Sequence, residues 1–463
     1  MRKTPSQLFD GISLGDVRLG ARVNKIVDKL TKNPDQPFPQ VFSVIELEAF
    51  YRLGRNPRVS ADKLVEHMAV RVLEQCEADK EYLVIHDTSI FTFAGRLELG
   101  TIEGNVHGFL GHFSLLVEAE SASPIGIVHA ELWERKKDTP TAARKKKLLT
   151  RRQIRELPSE MDRWARTIGS VEALDINKKF SFIHVGDSEV DDYASLSKMI
   201  DGKTRFVVRA ATNRCLHPDQ GYYSIQDKLD AQAFITSIDV PITKREKAEK
   251  KSKRHPKRQA RTATISIRST SIKIRRPTDM PASLKLPEML EFNVVHAIEQ
   301  NPPEGEQAIE WTLFTSESIK TAEQVIKVID NYKKRWLIEE FFRALKTGCK
   351  YESRQLESFD TLTTVLALLI PIAVNLLHLR ALERTAPDSD VSEIMDRDLL
   401  RTLEAKFECK CKTVGEAMQR IATLGGHLKP NGPPGYLVLW RGYRELIVMT
   451  AGFLLAMKSI SHA

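Results

Sequence analysis

Two short apolar runs, each closed by an aspartate, constrain this chain more than any other feature. Tyr82–His86 (YLVIH) stops at Asp87, and Phe180–Gly186 (FSFIHVG) stops at Asp187. An unbroken apolar run too short for a helix predicts a central strand buried on both faces, so each aspartate is expected at the C-terminal edge of such a strand. Between them, Phe109–Glu118 and Pro124–Trp133 read as two more strands around a Ser/Ala/Pro turn near 120–124, followed by a basic helix over Lys145–Thr167. After Asp187 come a helix over Glu189–Ile200 and a strand over Arg205–Arg209.

That order, with one aspartate on the first strand and one on the fourth, is the layout of an RNase H-like α/β domain. Residues 215–315 interrupt it. They alternate as strands do in Thr264-Ile265-Ser266-Ile267 and Ser271-Ile272-Lys273-Ile274, with prolines at 277, 281, 287, 302 and 303. The expected architecture is a catalytic domain over 71–358, with a β-rich insertion at 215–315. An all-α domain precedes it (1–70) and another follows (359–463). At 463 residues the chain is too long for one simple core.

Tyr332–Lys346 (YKKRWLIEEFFRALK) reads as one helix. At 100° per residue, Tyr332, Arg335, Glu339 and Lys346 fall on one stripe, and Leu337, Ile338, Phe341, Phe342 and Leu345 fall on a flank that can be buried. A carboxylate bracketed by Arg and Lys suits a metal ion beside a phosphate. The same spacing also fits an ordinary i,i+4 surface ion pair between Arg335 and Glu339.

Charge is unevenly placed. Lys244–Arg276 holds fourteen Lys/Arg against two Glu, and Arg135–Arg155 holds ten against one Asp, whereas the whole chain carries a net +9. Such blocks suit a phosphate polyanion or a solvated basic face. Five cysteines, at 76, 215, 349, 409 and 411, show no paired CxxC spacing and fit a reducing compartment. Cys409-Lys410-Cys411 has no matching second half for a metal site. The opening MRKTPSQLFDGISLG lacks a secretory pattern. The most apolar run, Val365–Val374, is broken by Pro371 and is expected to be a buried core helix rather than a membrane span.

The first seventy residues read as short helices, with an N-cap at Ser60. Arg18, Arg22, Lys25, Arg52, Arg55 and Arg58 make this unit positive, which suits a reader of DNA ends better than an enzyme core, a plain packing domain being the alternative. At the other end, 436–459 carries Tyr436, Trp440, Tyr443, Phe453 and Met457, a stripe that can pack internally or against a second copy.

Asp87 and Asp187 are joined by Glu339 as a third acidic residue. Two hard divalent cations held about 3.5–4 Å apart by carboxylates can activate a water or a 3′-hydroxyl and stabilise the leaving oxygen of a phosphodiester. His107, His112 and His129 do not suit that chemistry, because hard ions prefer oxygen.

These residues also carry a resemblance. Tyr332, Arg335, Glu339 and Lys346 resemble the YREK signature of the DDE transposases of the insertion-sequence-four family, and RWLIEEFFRALKTG resembles its transposon-five type. His86-Asp87-Thr88-Ser89 and Gly186-Asp187-Ser188-Glu189 are similar to the segments around that family's two aspartates. Leu14-Gly15-Asp16 with Arg18, and Tyr51-Arg52 through Arg55-Asn56-Pro57 to Val59-Ser60-Ala61, resemble its end-binding domain. Asn301-Pro302-Pro303, Trp311 and Thr315-Ser316-Glu317 resemble the return from its insertion, and Leu424-Gly425-Gly426 with Leu439–Lys458 its dimerisation region.

The resemblance implies a retroviral-integrase-like catalytic domain and a cut-and-paste transposase that is a bacterial, cytoplasmic and nucleoid-associated protein. It implies that Asp87, Asp187 and Glu339 bind two magnesium ions, with manganese able to substitute. It also implies double-stranded DNA partners, both transposon ends and target, a hairpin intermediate, and a homodimer in the synaptic complex. Tyr332, Arg335, Lys346 and Arg343 would hold the DNA, Trp311 would stack on a flipped base, Arg209 would contact DNA, and Arg18, Arg22, Arg52 and Arg55 would bind the end repeats. Asn105-Val106-His107-Gly108 and residues 385–423 depart from the family pattern. Two other readings keep the fold: a DNA-binding regulator that no longer cuts, and a nuclease without strand transfer.

Overall fold

A computed structural model describes residues 3–96, 98–103, 106–135, 160, 162–175, 177–242, 259–385, 387–393, 395–428, 434 and 436–461. Residues 244–258 of the larger basic run, 136–155 of the smaller one, and Asn105 lie outside the described residues. The chain divides into two compact units. One comprises Met1–Tyr82, Thr88–Lys137 and Leu337–Ala463, and the other Leu83–Asp87 and Asp138–Trp336.

The first unit begins with helices α1 (Val17–Lys32), α2 (Phe38–Val41), α3 (Val44–Gly54) and α4 (Ala61–Leu73). Their starts are set by side chains that satisfy free backbone N–H groups. Asp16 accepts from Arg18 N at 2.9 Å and Ser60 from Lys63 N at 3.4 Å. On α1, Val23, Ile26, Val27 and Leu30 are buried and the charged residues face outward. Strands β1 (Glu81–Thr92), β2 (Thr101–Glu103), β3 (Val106–Glu118) and β4 (Pro124–Trp133) follow. β3 lies between β1 and β2 and also pairs antiparallel with β4. β1 runs on past Asp87 to Thr92, so Asp87 lies within a strand rather than at its edge.

Helix α10 (Phe359–Thr385) is the core helix of this unit, and it packs on α1, α3, α4 and β4. Its stretch Phe359–Leu382 is long and apolar enough to cross a bilayer, with mean hydropathy 2.1, which the ten-residue run did not lead one to expect. However, 83% of its most apolar 18-residue window is buried inside the protein. After it come two helices, α11 (Arg397–Phe407) and α12 (Val414–Leu424), and these pack with α13 (Tyr436–Ser461). α12 and α13 meet through glycines. A Cβ on Gly442 would lie 1.6 Å from Ile421 O, and one on Gly425 would lie 1.9 Å from Val438 O.

In the second unit the strand order is β1, β5 (Ser181–Gly186), β6 (Phe206–Arg209), β10 (Glu310–Thr315), β9 (Met289–Glu299), β8 (Arg261–Arg275) and β7 (Thr236–Ile242). β5 and β6 are parallel, whereas β10 runs antiparallel to both β6 and β9. The long strands of the insertion therefore extend the sheet through β10. Helices α5 (Asp162–Leu174), α6 (Tyr193–Asp201) and α7 (Ile225–Asp230) contribute Trp164, Leu196 and Leu229 to one cluster with Phe206, Ile272, Phe292 and Phe314. Helix α8 (Ala322–Lys333) opens on a capping box of Thr321 and Gln324.

Candidate active site

The second unit holds both aspartates. β1 and β5 are neighbouring strands, and the residues just before the aspartates tie them together. His86 Nε2 and His184 Nδ1 lie 2.7 Å apart, both rings are buried, and they stack with centroids 5.0 Å apart. His184 Nε2 lies 2.9 Å from Glu172 Oε1. A carboxylate can only accept there, so the proton sits on His184 Nε2, its Nδ1 is the acceptor, and His86 Nε2 donates. This polar chain fixes β1 against β5 where Asp87 and Asp187 begin.

Asp187 follows β5 directly, and its Oδ1 accepts from Glu189 N at 2.8 Å. The other nearby acids have separate work. Glu189 pairs with the buried Arg163, and Asp191 accepts from Arg214 Nε at 2.8 Å and Ala211 N at 2.6 Å. Asp192 caps α6. Burial raises the pKa of Glu189; Arg163 opposes that and the charge of Asp187 adds to it.

The helix expected over 332–346 is three pieces. α8 ends at Lys333, α9 spans Trp336–Arg343, and a π-helical turn spans Ala344–Gly348. Arg335 N bonds back to Tyr332 O at 2.9 Å, a tightened i→i−3 turn that breaks the 100° count. Its Nη1 donates to Asp87 Oδ2 at 3.0 Å, with both side chains largely buried, an ion pair between residues far apart in the chain.

Tyr332 is buried beside Trp311, ring centroids 6.4 Å apart and tilted 60°. Burial raises its pKa, with Arg335 and then Arg209 opposing. Arg209 is exposed at the end of β6, where it pairs with Leu313 across β10, two residues from Trp311. Tyr332, Trp311, Arg209, Arg335, Asp87 and Asp187 are thus residues of one unit.

Glu339, Arg343 and Lys346 belong to the first unit. Glu339 is half-buried and Arg343 exposed on α9. Lys346, in the π-turn, donates to Ile90 O, lies 3.8 Å from Glu352 and sits over the Phe91 ring at 5.2 Å. Burial lowers its pKa, while Glu352 and Glu339 pull it up. Glu340 points into packing and takes Arg380 Nη1 at 2.6 Å. Glu352 also accepts from Thr92 N at 2.8 Å; nothing in its sequence neighbourhood singled it out.

The N-terminal arginines lie on the surface of the first unit. Arg18 is held by Asp16 at 2.8 Å and brings that carboxyl down to about 2. Arg52 lies 3.6 Å from Glu48 and Arg55 3.3 Å from Glu357, while Arg22 is exposed.

Among the described residues no three His, Cys, Asp or Glu side chains stand together as a group able to hold a metal ion. By donor chemistry Asp87, within β1, and Asp187, directly after the neighbouring β5, offer carboxylate oxygens that fit a hard divalent cation.

Residues 2–59 match the family model described as transposase DNA-binding, and residues 175–376 match that of the transposase DDE domain. The second match includes Asp187, Trp311, Tyr332, Arg335, Glu339 and Lys346, whereas Asp87 lies outside both.

Proposed function

Because this chain belongs to the DDE transposases, divalent-metal-dependent enzymes that cut DNA and transfer its strands, we propose that it is a cut-and-paste transposase of the insertion-sequence-four family, transposon-five type. The reading rests above all on the Arg335–Asp87 ion pair beside a strand whose neighbour leads into Asp187. Asp87, Asp187 and Glu339 are the catalytic carboxylates and hold two magnesium ions, for which manganese can substitute. Held by these carboxylates, such ions would supply activation of the attacking hydroxyl and stabilisation of the leaving oxygen.

The protein's own groups bind and orient the DNA. Tyr332, Arg335, Arg343 and Lys346 hold the transposon end, and Arg209 contacts its backbone. Trp311, with Tyr332 behind it, stacks on a base turned out of the helix, which a tight hairpin requires. Water nicks one strand, the freed 3′-hydroxyl attacks the other to form a hairpin, the hairpin is opened, and the 3′ ends are joined to target DNA. Residues 1–70, with Arg18, Arg22, Arg52 and Arg55, bind the end repeats. Residues 71–358 form the catalytic domain with its 215–315 insertion, and 359–463 pair two copies into a homodimer. The protein works in the bacterial cytoplasm, at the nucleoid.

The test is to mix purified protein and magnesium with DNA carrying the inverted repeats that flank its coding region. Nicks, hairpins and joined products are expected, and Asp87→Ala, Asp187→Ala or Glu339→Ala should abolish them while end binding survives. Binding without any nick would favour a regulator, and nicks without joining a nuclease. Undiminished cutting by Glu339→Ala would sink the assignment.

A further inference from the structure

The loop between α11 and α12 carries a chemistry that strand transfer does not use. Cys409 is exposed and Cys411 buried, and one guanidinium touches both sulfurs. Arg420 Nη2 lies 3.0 Å from Cys409 Sγ, and its Nη1 lies 2.9 Å from Cys411 Sγ. The loop is held in this shape. Glu404 accepts from Cys411 N at 3.0 Å and from Lys410 Nζ at 2.8 Å. Glu408 takes a left-handed φ of 50°, which lets Cys409 N reach Glu404 O at 3.1 Å.

Arg420 places a fixed positive charge against both sulfurs; burial raises the pKa of Cys411, with Arg420 opposing, so the exposed Cys409 is the sulfur that an oxidant reaches first and Cys411 stays a thiol. The same guanidinium argues against a metal, because a cation bound by both sulfurs would face it. Access is open: Cys409 borders a depression of about 430 Å³ lined also by Arg401, Glu404, Glu408 and Phe453. Reach suffices too. Residues two apart are separated by at most about 7 Å, and a disulfide needs Cα atoms about 4.4–6.8 Å apart.

We propose that Cys409 and Cys411 form a peroxide-sensitive dithiol, with Cys409 the attacking sulfur and Cys411 the resolving one. The Cys409 thiolate attacks a peroxide oxygen, the O–O bond breaks, and a sulfenic acid and hydroxide result. The Cys411 thiol then displaces the sulfenic hydroxyl, giving a disulfide and water. Overall, two thiols are oxidised and one hydrogen peroxide is reduced to two waters. Cys76 and Cys349 are poor competitors, since burial pushes both thiols up to about 12.

The experiment treats the reduced full-length chain with one equivalent of hydrogen peroxide, alkylates the remaining thiols and maps the peptides by mass spectrometry. A Cys409–Cys411 disulfide, lighter by two hydrogens, is expected, with Cys76 and Cys349 still alkylated. In Cys411→Ser the oxidation should stop at a Cys409 sulfenic acid that a cyclic diketone traps. Arg420→Gln should slow the loss of Cys409 thiol about tenfold. The proposal is overturned if Cys409 oxidises no faster than Cys76 and Cys349, or if Cys411→Ser yields no trapped sulfenic acid.

Discussion

Arg335 reaches back across 248 residues of chain to donate from Nη1 to Asp87 Oδ2 at 3.0 Å. Their side chains are 16% and 14% exposed, so the pair is poorly screened. Removing either partner takes an opposite charge away from a largely buried one, which costs more than losing an exposed pair. Arg335→Ala is therefore expected to destabilise the protein by about 1–3 kcal/mol and to slow end cleavage by about a hundredfold. In thermal unfolding, Asp87→Asn combined with Arg335→Gln should lose less than the two single changes added together. Strict additivity would show that the pair contributes nothing.

Lys346 should impose an alkaline limit on cleavage. Burial lowers its pKa, so it gives up its proton below the ordinary value of about 10.4. Within that window the unfolded chain holds a proton the folded chain lacks, so this group's contribution to stability rises with pH. The positive charge that would hold DNA fades through the same window. Initial nicking rates should fall there, and Lys346→Arg should move the fall to higher pH; an unmoved profile would remove Lys346 from the DNA contact.

Trp311 and Tyr332 should act on the hairpin rather than the first nick. Base–aromatic stacking is worth about 1–3 kcal/mol, so Trp311→Ala should reduce hairpin formation roughly tenfold to a hundredfold. Denaturing gels resolve the two products, and equal loss of both would assign Trp311 to packing.

End binding should weaken steeply with salt, through release of counterions from the DNA. Arg22 is exposed, whereas Arg18, Arg52 and Arg55 lie beside carboxylates. Arg22→Ala should therefore lower the log–log salt slope by about 1, with Arg18→Ala lowering it less. Fluorescence anisotropy at several salt concentrations measures both.

Gly442→Ala should break the α12–α13 contact, because its Cβ would lie 1.6 Å from a backbone oxygen. A backbone atom cannot rotate away, so the overpacking cost is expected at about 1–3 kcal/mol or more. Limited proteolysis should then cut within the C-terminal helices first, and an unchanged cleavage pattern would refute the close packing.

Local pattern was enough for the elements themselves. Ser60 caps α4 as expected, β4 spans Pro124–Trp133, and the apolar runs before Asp87 and Asp187 are neighbouring buried strands. These features depend on periodicity and capping, which a few adjacent residues settle. The partners of the charged groups were a different matter. The stripe from Tyr332 to Lys346 assumed an unbroken helix, whereas a turn at Lys334–Arg335 divides it and Arg335 donates to Asp87, 248 residues away in the chain. Glu339 and Glu340 are adjacent and alike in sequence, yet Glu340 is committed to Arg380 on α10. By itself the sequence determined that the apolar runs before Asp87 and Asp187 are buried strands and that Ser60 opens a helix. Only tertiary structure decided which cation each carboxylate meets, because an ion pair is selected by side chains brought together from distant parts of the chain, and no local spacing encodes that.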